Sequence, residues 1–132
     1  MIKTETDIIV RSTEIDGLGH VNNAKYLEYL EWGRIDWYDE AAKDHFDPER
    51  FGLQTVVVSI TINFRKECRQ GDRLTVVTQP EKVGGKSFVL KQEIVRRDSG
   101  EVCADATITS VLMDKTSRRS VEVPDGFRTL FA

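Results

Sequence analysis

The sequence predicts an α+β fold: a curled antiparallel sheet of about five strands wrapped round one long central helix. Three observations carry this. One stretch, from about Ala24 to Lys43, has helical periodicity, while from Gln54 onward the apolar residues alternate with period two. The strand-like runs are separated by Gly71-Asp72, Gly84-Gly85 and Asp98-Ser99-Gly100, connections short enough to force antiparallel neighbours. A single sheet curling over one helix then satisfies every apolar face. The 132 residues show no repeat, linker or low-complexity stretch, so one domain spanning residues 1–132 is expected.

Residues 6–12 (TDIIVRS) read as a short first strand. The following EIDGLGHVNN is rich in turn and cap formers, with Asn22 or Asn23 as the natural helix N-cap. Along the helix, Tyr26, Leu30, Gly33, Trp37 and Ala41 step by three or four residues and mark one buried face. Leu27, Ile35 and Tyr38 widen that face and predict an unusually well buried helix. Glu31 and Arg34, three residues apart, read as a surface ion pair. Pro48 falls in a loop beyond the helix. In TVVVSITINF, Val56, Val58, Ile60, Ile62 and Phe64 share one face, while Val57, Ser59, Thr61 and Asn63 share the other. Further strands are predicted over 73–78, 87–96 and 101–113, with Phe88, Leu90, Gln92 and Ile94 on one side of the second of these. Pro124 and Gly126 end the regular pattern, leaving a short tail.

Composition narrows the function classes. Hydrophobic residues at 39% and charged residues at 31% describe an ordinary globular chain. With 19 basic against 22 acidic side chains, the net charge of −3 offers no basic surface for nucleic acid. Cys68, Cys103, His20 and His45 match no zinc spacing, so no metal site is expected, and the cysteines read as buried or half-buried strand residues. Lys3, Glu5 and Asp7 interrupt any secretory leader, and no apolar run reaches membrane-spanning length; the expected setting is the cytoplasm, without a membrane partner.

The chemically informative segment is Asp16-Gly17-Leu18-Gly19-His20-Val21-Asn22-Asn23, followed by Tyr26 on the helix. It sets a carboxylate one glycine-containing loop before a helix N-terminus. That terminus carries free amide donors and partial positive charge, which can hold a carbonyl oxygen as it becomes negative. The carboxylate can activate water or attack the carbonyl itself. These parts suffice for acyl transfer without a Ser-His-Asp triad, although an aspartate there can also serve as a plain turn cap.

The run DGLGHVNNAKYLEYLEWGR resembles the signature of the 4-hydroxybenzoyl-CoA thioesterase-like family of hot-dog enzymes: an Asp, two residues, a Gly, then a helix opening with amide residues and an aromatic. Asp16, Gly19, Val21, Asn23 and Tyr26 match that pattern. INFRKECRQGDRLTV and GGKSFVLKQEIVRRDSGEVCADATITSVLMD resemble the family's later strands, so the likeness spans about residues 5 to 125. Glu67 departs from a proline common in relatives.

The resemblance implies a hot-dog fold and hydrolysis of an acyl-CoA thioester to free acid and CoA, with no cofactor. It makes Asp16 the catalytic carboxylate and the Asn23 amide the polariser of the thioester carbonyl. Gly19, His20, Val21 and Tyr26 become loop and pocket residues, and Asn63, with Ser59, a candidate pocket lining. Arg65 and Lys86 are candidate contacts for the CoA phosphates, together with Lys66, Arg69, Lys82, Arg118 and Arg119. An acyl carrier protein thioester is an alternative substrate. Family members bind acyl-CoA across a dimer interface, so a homodimer or homotetramer is expected. Two rival readings stay open: a hot-dog dehydratase or hydratase, for which the placement of acid and His20 fits poorly, and a non-catalytic acyl-CoA-binding module, for which Asp16 would be superfluous.

Overall fold

Apolar alternation and turn chemistry build five strands and one long helix in the computed structural model, which describes residues 2–132. The strands are β1 (Thr4–Ile9), β2 (Leu53–Phe64), β3 (Arg73–Val83), β4 (Ser87–Arg96) and β5 (Val102–Asp114). The long helix α1 is Asn23–Asp44, and a short helix α2 is Asp125–Arg128. All pairings are antiparallel, in the order β1-β3-β4-β5-β2, so β1 and β2 form the two edges. The helix lies across β1 and β3 and reaches β4. This is the α+β hot-dog arrangement expected from the sequence. No helix of the described residues is long and apolar enough to cross a membrane.

Asn22 decides where α1 begins. Its side chain accepts from the Ala24 amide at 2.8 Å, making it the N-cap and leaving Asn23 as the first helical residue. Gly33 decides how close α1 comes to the sheet. A Cβ there would stand 2.5 Å from Val76 Cγ1 and 3.0 Å from both Gln92 and Thr78 side chains, so only a glycine fits the crossing. Tyr26, Leu30, Trp37 and Ala41 are buried as the periodicity predicts.

Of the wider helix face, Tyr38 packs against the core, but Leu27 and Ile35 do not behave as expected. Leu27 is 40% and Ile35 51% exposed. Arg34, by contrast, is buried and donates to Gln92 Oε1 at 3.1 Å, and it is not the surface partner of Glu31. Burial lowers the pKa of its guanidinium. The cause is lateral position: α1 covers the β1–β3–β4 half of the sheet, so its flank toward β2 is left without a partner within the chain, while Arg34 turns into the core.

Strand β2 contains a bulge. Val57 pairs with Ser110 and Ser59 with Thr109, so Val58 is the extra residue. Residues opposite each other share a face, which puts Val57, Ile60, Ile62 and Phe64 on the helix side and Val56 on the outer side. The expected grouping of Val56 with Ile60 and Phe64 is therefore wrong, because alternation carries no information across an inserted residue. Strand β3 runs on to Val83, well past Thr78. Pro80 is tolerated because β1 ends opposite Thr78 and leaves β3 an edge there, next to a bulge at Pro80–Lys82. Strand β1 starts earlier than predicted and stops at Ile9, after which residues 12–14 form a 3₁₀ turn.

The tail also differs from expectation. Phe127 and Leu130 are buried, and Phe127 packs edge-on against Phe88, Trp37 and Phe46. It closes a second core under the C-terminal half of α1, while Tyr26, Tyr29, Leu74, Ile94 and Ile108 belong to a first core under the N-terminal half. Cys103 sits buried on β5 as expected. Cys68 is buried in the loop between β2 and β3, where no strand forms.

Candidate active site

The loop before α1 folds back on itself as a small hairpin. The Asn22 amide donates to the Glu14 carbonyl at 3.0 Å, the Asp16 amide to the His20 carbonyl at 3.0 Å, and Ile15 bridges Val21. At the tip, the Gly19 amide donates to the Asp16 carbonyl at 3.1 Å with Gly19 at φ 85°, a left-handed conformation that favours glycine there. Asp16 thus stands at the base of the tip. Its Oδ1 accepts from the Leu18 amide at 2.9 Å, the turn-capping bond that an aspartate makes here. The Val21 amide donates to the Cys68 carbonyl at 2.8 Å and ties the hairpin to the β2–β3 loop.

That tie creates a pocket of about 180 Å³ lined by His20, Val21, Asn23, Tyr26, Phe64, Arg65, Lys66 and Glu67. Among the described residues the Asn23 amide makes no hydrogen bond, as the first turn of a helix requires of some of its donors. The Tyr26 ring meets Phe64 edge-on at 5.2 Å, and its hydroxyl donates to the Lys66 carbonyl at 3.3 Å. Burial raises the Tyr26 pKa, so this hydroxyl stays a donor at neutral pH. His20 Nε2 lies 3.8 Å from Glu67 Oε2. The hydrogen bond from Arg69, the strongest influence on Glu67, holds that carboxyl below its usual range. Glu67 is therefore an acidic wall of the pocket, a role its sequence context did not reveal.

Of the residues singled out from sequence, Val21, His20, Asn23, Tyr26, Arg65 and Lys66 meet in this pocket. Asp16 and Gly19 lie in the adjoining hairpin tip. Asn63 is placed elsewhere: it pairs with Asp105 on the face of the sheet away from α1 and donates to Asp105 Oδ1 at 3.0 Å. Arg65 Nε donates to the same carboxylate, to Oδ2 at 2.7 Å. Ser59 shares that outer face. Lys86 lies in the β3–β4 turn, at the opposite end of the sheet, and is exposed.

Beneath the pocket, Cys68 and Cys103 are in contact as free thiols. The neighbouring Cys103 thiol lowers the Cys68 pKa from its usual value, and the same neighbour, with burial, pushes Cys103 up. Sequence spacing could not have paired residues on different elements.

A curled sheet over one helix, with a small pocket at that helix's N-terminus, places the chain among hot-dog-fold enzymes. It belongs to the thioesterase-like superfamily, whose family description matches residues 10–131, and it is a thioester hydrolase. It is 37% identical over 125 residues to the long-chain acyl-CoA thioesterase FadM of Escherichia coli, covering 94% of this chain and 93% of the relative. It is 29% identical to the chloroplastic acyl-acyl carrier protein thioesterase ATL2 of Arabidopsis thaliana, covering 96% of this chain and 67% of that one. The crystal structure of YbaW from Escherichia coli superposes with a TM-score of 0.86 at 34% identity, covering 96% of this chain and 94% of that one.

Proposed function

We propose that the chain hydrolyses an acyl-CoA thioester to the free acid and CoA, using Asp16 and the N-terminus of α1. The observation that carries this reading is the unpaired amide of Asn23, a residue that lines a pocket beside the Asp16 hairpin. A thioester carbonyl oxygen set against that amide gains stabilisation as it becomes an oxyanion, helped by the helix's partial positive charge. The Asp16 carboxylate supplies the electron pair, by taking a proton from water or by attacking the carbonyl carbon. Both routes require it ionised, and both release CoA as a thiolate, a good leaving group; in the second, water then cleaves the acyl–Asp16 anhydride to give the free acid and restore the carboxylate. Gly19 gives the hairpin tip its conformation, and Val21, Tyr26 and Phe64 provide the apolar wall.

CoA phosphates need cations. Arg65 stands at the pocket, whereas Lys86 is at the far end of the same sheet. A two-fold pairing of β2 edges runs them antiparallel, so the Lys86 end of one copy comes to lie beside the Arg65 end of the other. Unpartnered edge strands are normally covered. Here the β2 edge and the neighbouring α1 flank expose Leu27, Ile35, Val57, Val58, Ile60 and Phe64, an apolar surface suited to a second copy of the chain. We therefore read the enzyme as a homodimer or a dimer of dimers. We place it in the cytoplasm, where reducing conditions keep Cys68 and Cys103 as thiols.

The test is Asp16→Asn. Asparagine keeps the shape and can still cap the turn, but it is neither base nor nucleophile. A positioned general base contributes roughly 10²–10⁴ in rate, so kcat should fall by that range while thermal stability and acyl-CoA binding persist. Thiol release is followed across acyl-CoAs of increasing chain length and one acyl carrier protein thioester. Wild-type turnover in a stable Asp16→Asn protein would remove Asp16 from the chemistry.

A further inference from the structure

We propose that Glu14, together with Tyr29, is a positioning residue that fixes Asp16 against the N-terminus of α1. Glu14 lies two residues before Asp16 and is one of few charged side chains buried in the protein, at 8% exposure. Its Oε1 accepts from the Tyr29 hydroxyl at 2.7 Å and from the Arg11 amide at 2.8 Å. Its carbonyl accepts from the amide of Asn22, the cap of α1. One residue thus grips three points: the chain entering the hairpin, the hairpin strand leading to α1, and the second turn of α1 itself. Next comes the Ile15–Val21 bridge, and next after that Asp16. No other side chain links the Asp16 arm of the hairpin to the body of α1 among the described hydrogen bonds.

The chemistry of the site makes this placement consequential. The bonds from the Leu18 and Gly19 amides to Asp16 shape the exposed tip from within, but they do not attach it to α1. Reaction requires carboxylate, water or carbonyl carbon, and amide donor to be set within fractions of an ångström. A displacement of about 1 Å can cost about 10²-fold in rate. Burying a carboxylate is costly unless it is hydrogen-bonded, so Glu14 persists there through the two bonds on Oε1. The Tyr29 hydroxyl, whose pKa is raised by burial first and by Glu14 next, remains a proton donor to it.

This inference rests on the catalytic reading of Asp16, and the experiment separates the two. Kinetics are measured for Glu14→Ala, Glu14→Gln and Tyr29→Phe, each in the wild-type and the Asp16→Asn background. In the wild-type background, Glu14→Ala and Tyr29→Phe should lower kcat roughly 10- to 10²-fold with KM nearly unchanged. Glu14→Gln should recover most of kcat, because both bonds end on one oxygen that an amide can supply. In the Asp16→Asn background the same changes should lower the residual kcat no further, since residues acting through one group are not additive. Tyr29→Phe keeps the ring and carries the cycle if Glu14→Ala does not fold. Equal fold-losses in both backgrounds, or a Gln variant no better than Ala, would overturn the positioning role while leaving Asp16 in place. Full activity of Asp16→Asn alone would overturn both.

Discussion

Asp105 stands between two donors, Arg65 Nε at 2.7 Å and Asn63 Nδ2 at 3.0 Å. Those bonds, Arg65 first, hold its carboxyl below the usual aspartate range. Because the folded value lies below the unfolded one of about 3.9, the stabilisation is full above that pH and is lost as pH falls through the folded value. Arg65 is exposed and Asp105 partly so, so solvent screens the pair and its contribution is the small one of a surface ion pair. Urea unfolding at stepped pH should give a flatter acid limb for Asp105→Asn than for the parent; superimposable limbs would show that the pair adds nothing. The same contacts explain where Asn63 belongs. Its residue type suited a pocket, but the strand phase turned it outward, where it donates to the Asp105 carboxylate that also holds Arg65 at the pocket's rim.

At the scale of elements, the contact between α1 and the sheet depends on Gly33. Alanine is the better helix former by about 1 kcal/mol, yet its methyl group would meet Val76 and Gln92. Val76 is β-branched and stiff, and Gln92 is held by Leu30, Thr78 and Arg34. Overpacking of this kind costs about 1–3 kcal/mol, so Gly33→Ala should lower the melting temperature by several degrees. A melting temperature equal to or above the parent's would mean that the helix shifts at no cost. Helix α1 also shows why its periodicity was legible only in part. The central stripe through Tyr26, Leu30 and Trp37 predicts burial because any helix lying on a sheet buries its apolar stripe. Leu27 and Ile35 were apolar for another reason, and one chain alone does not cover them.

That reason belongs to the whole molecule. Strand β2 is a twelve-residue edge with apolar residues on its helix-facing side, next to the uncovered flank of α1. Such an edge invites strand pairing, and a two-fold axis perpendicular to β2 would bury both surfaces at once. Sedimentation at micromolar concentration should show a dimer or a larger even assembly, and Ile60→Lys should shift it toward monomer with loss of thioesterase activity. A stable, fully active wild-type monomer would contradict the two-copy reading and the route by which Lys86 reaches CoA.

Local chemistry was determined by the sequence itself. Gly17, Gly19 and Asn22 specify a turn and a cap, and period-two and period-3.6 patterns specify strands and helix, because these are interactions between near neighbours in the chain. The pocket's near half, from His20 to Tyr26, was legible for that reason. Tertiary structure alone decided the rest. The bulge at Val58 reset which residues face α1, and the position of α1 over one half of the sheet left Leu27 exposed while drawing Arg34 inside. Folding also brought Glu67 against His20, Cys103 against Cys68, and the Tyr29 hydroxyl against Glu14. These are contacts between elements. Their existence depends on register and on crossing geometry, which no local pattern of residues encodes.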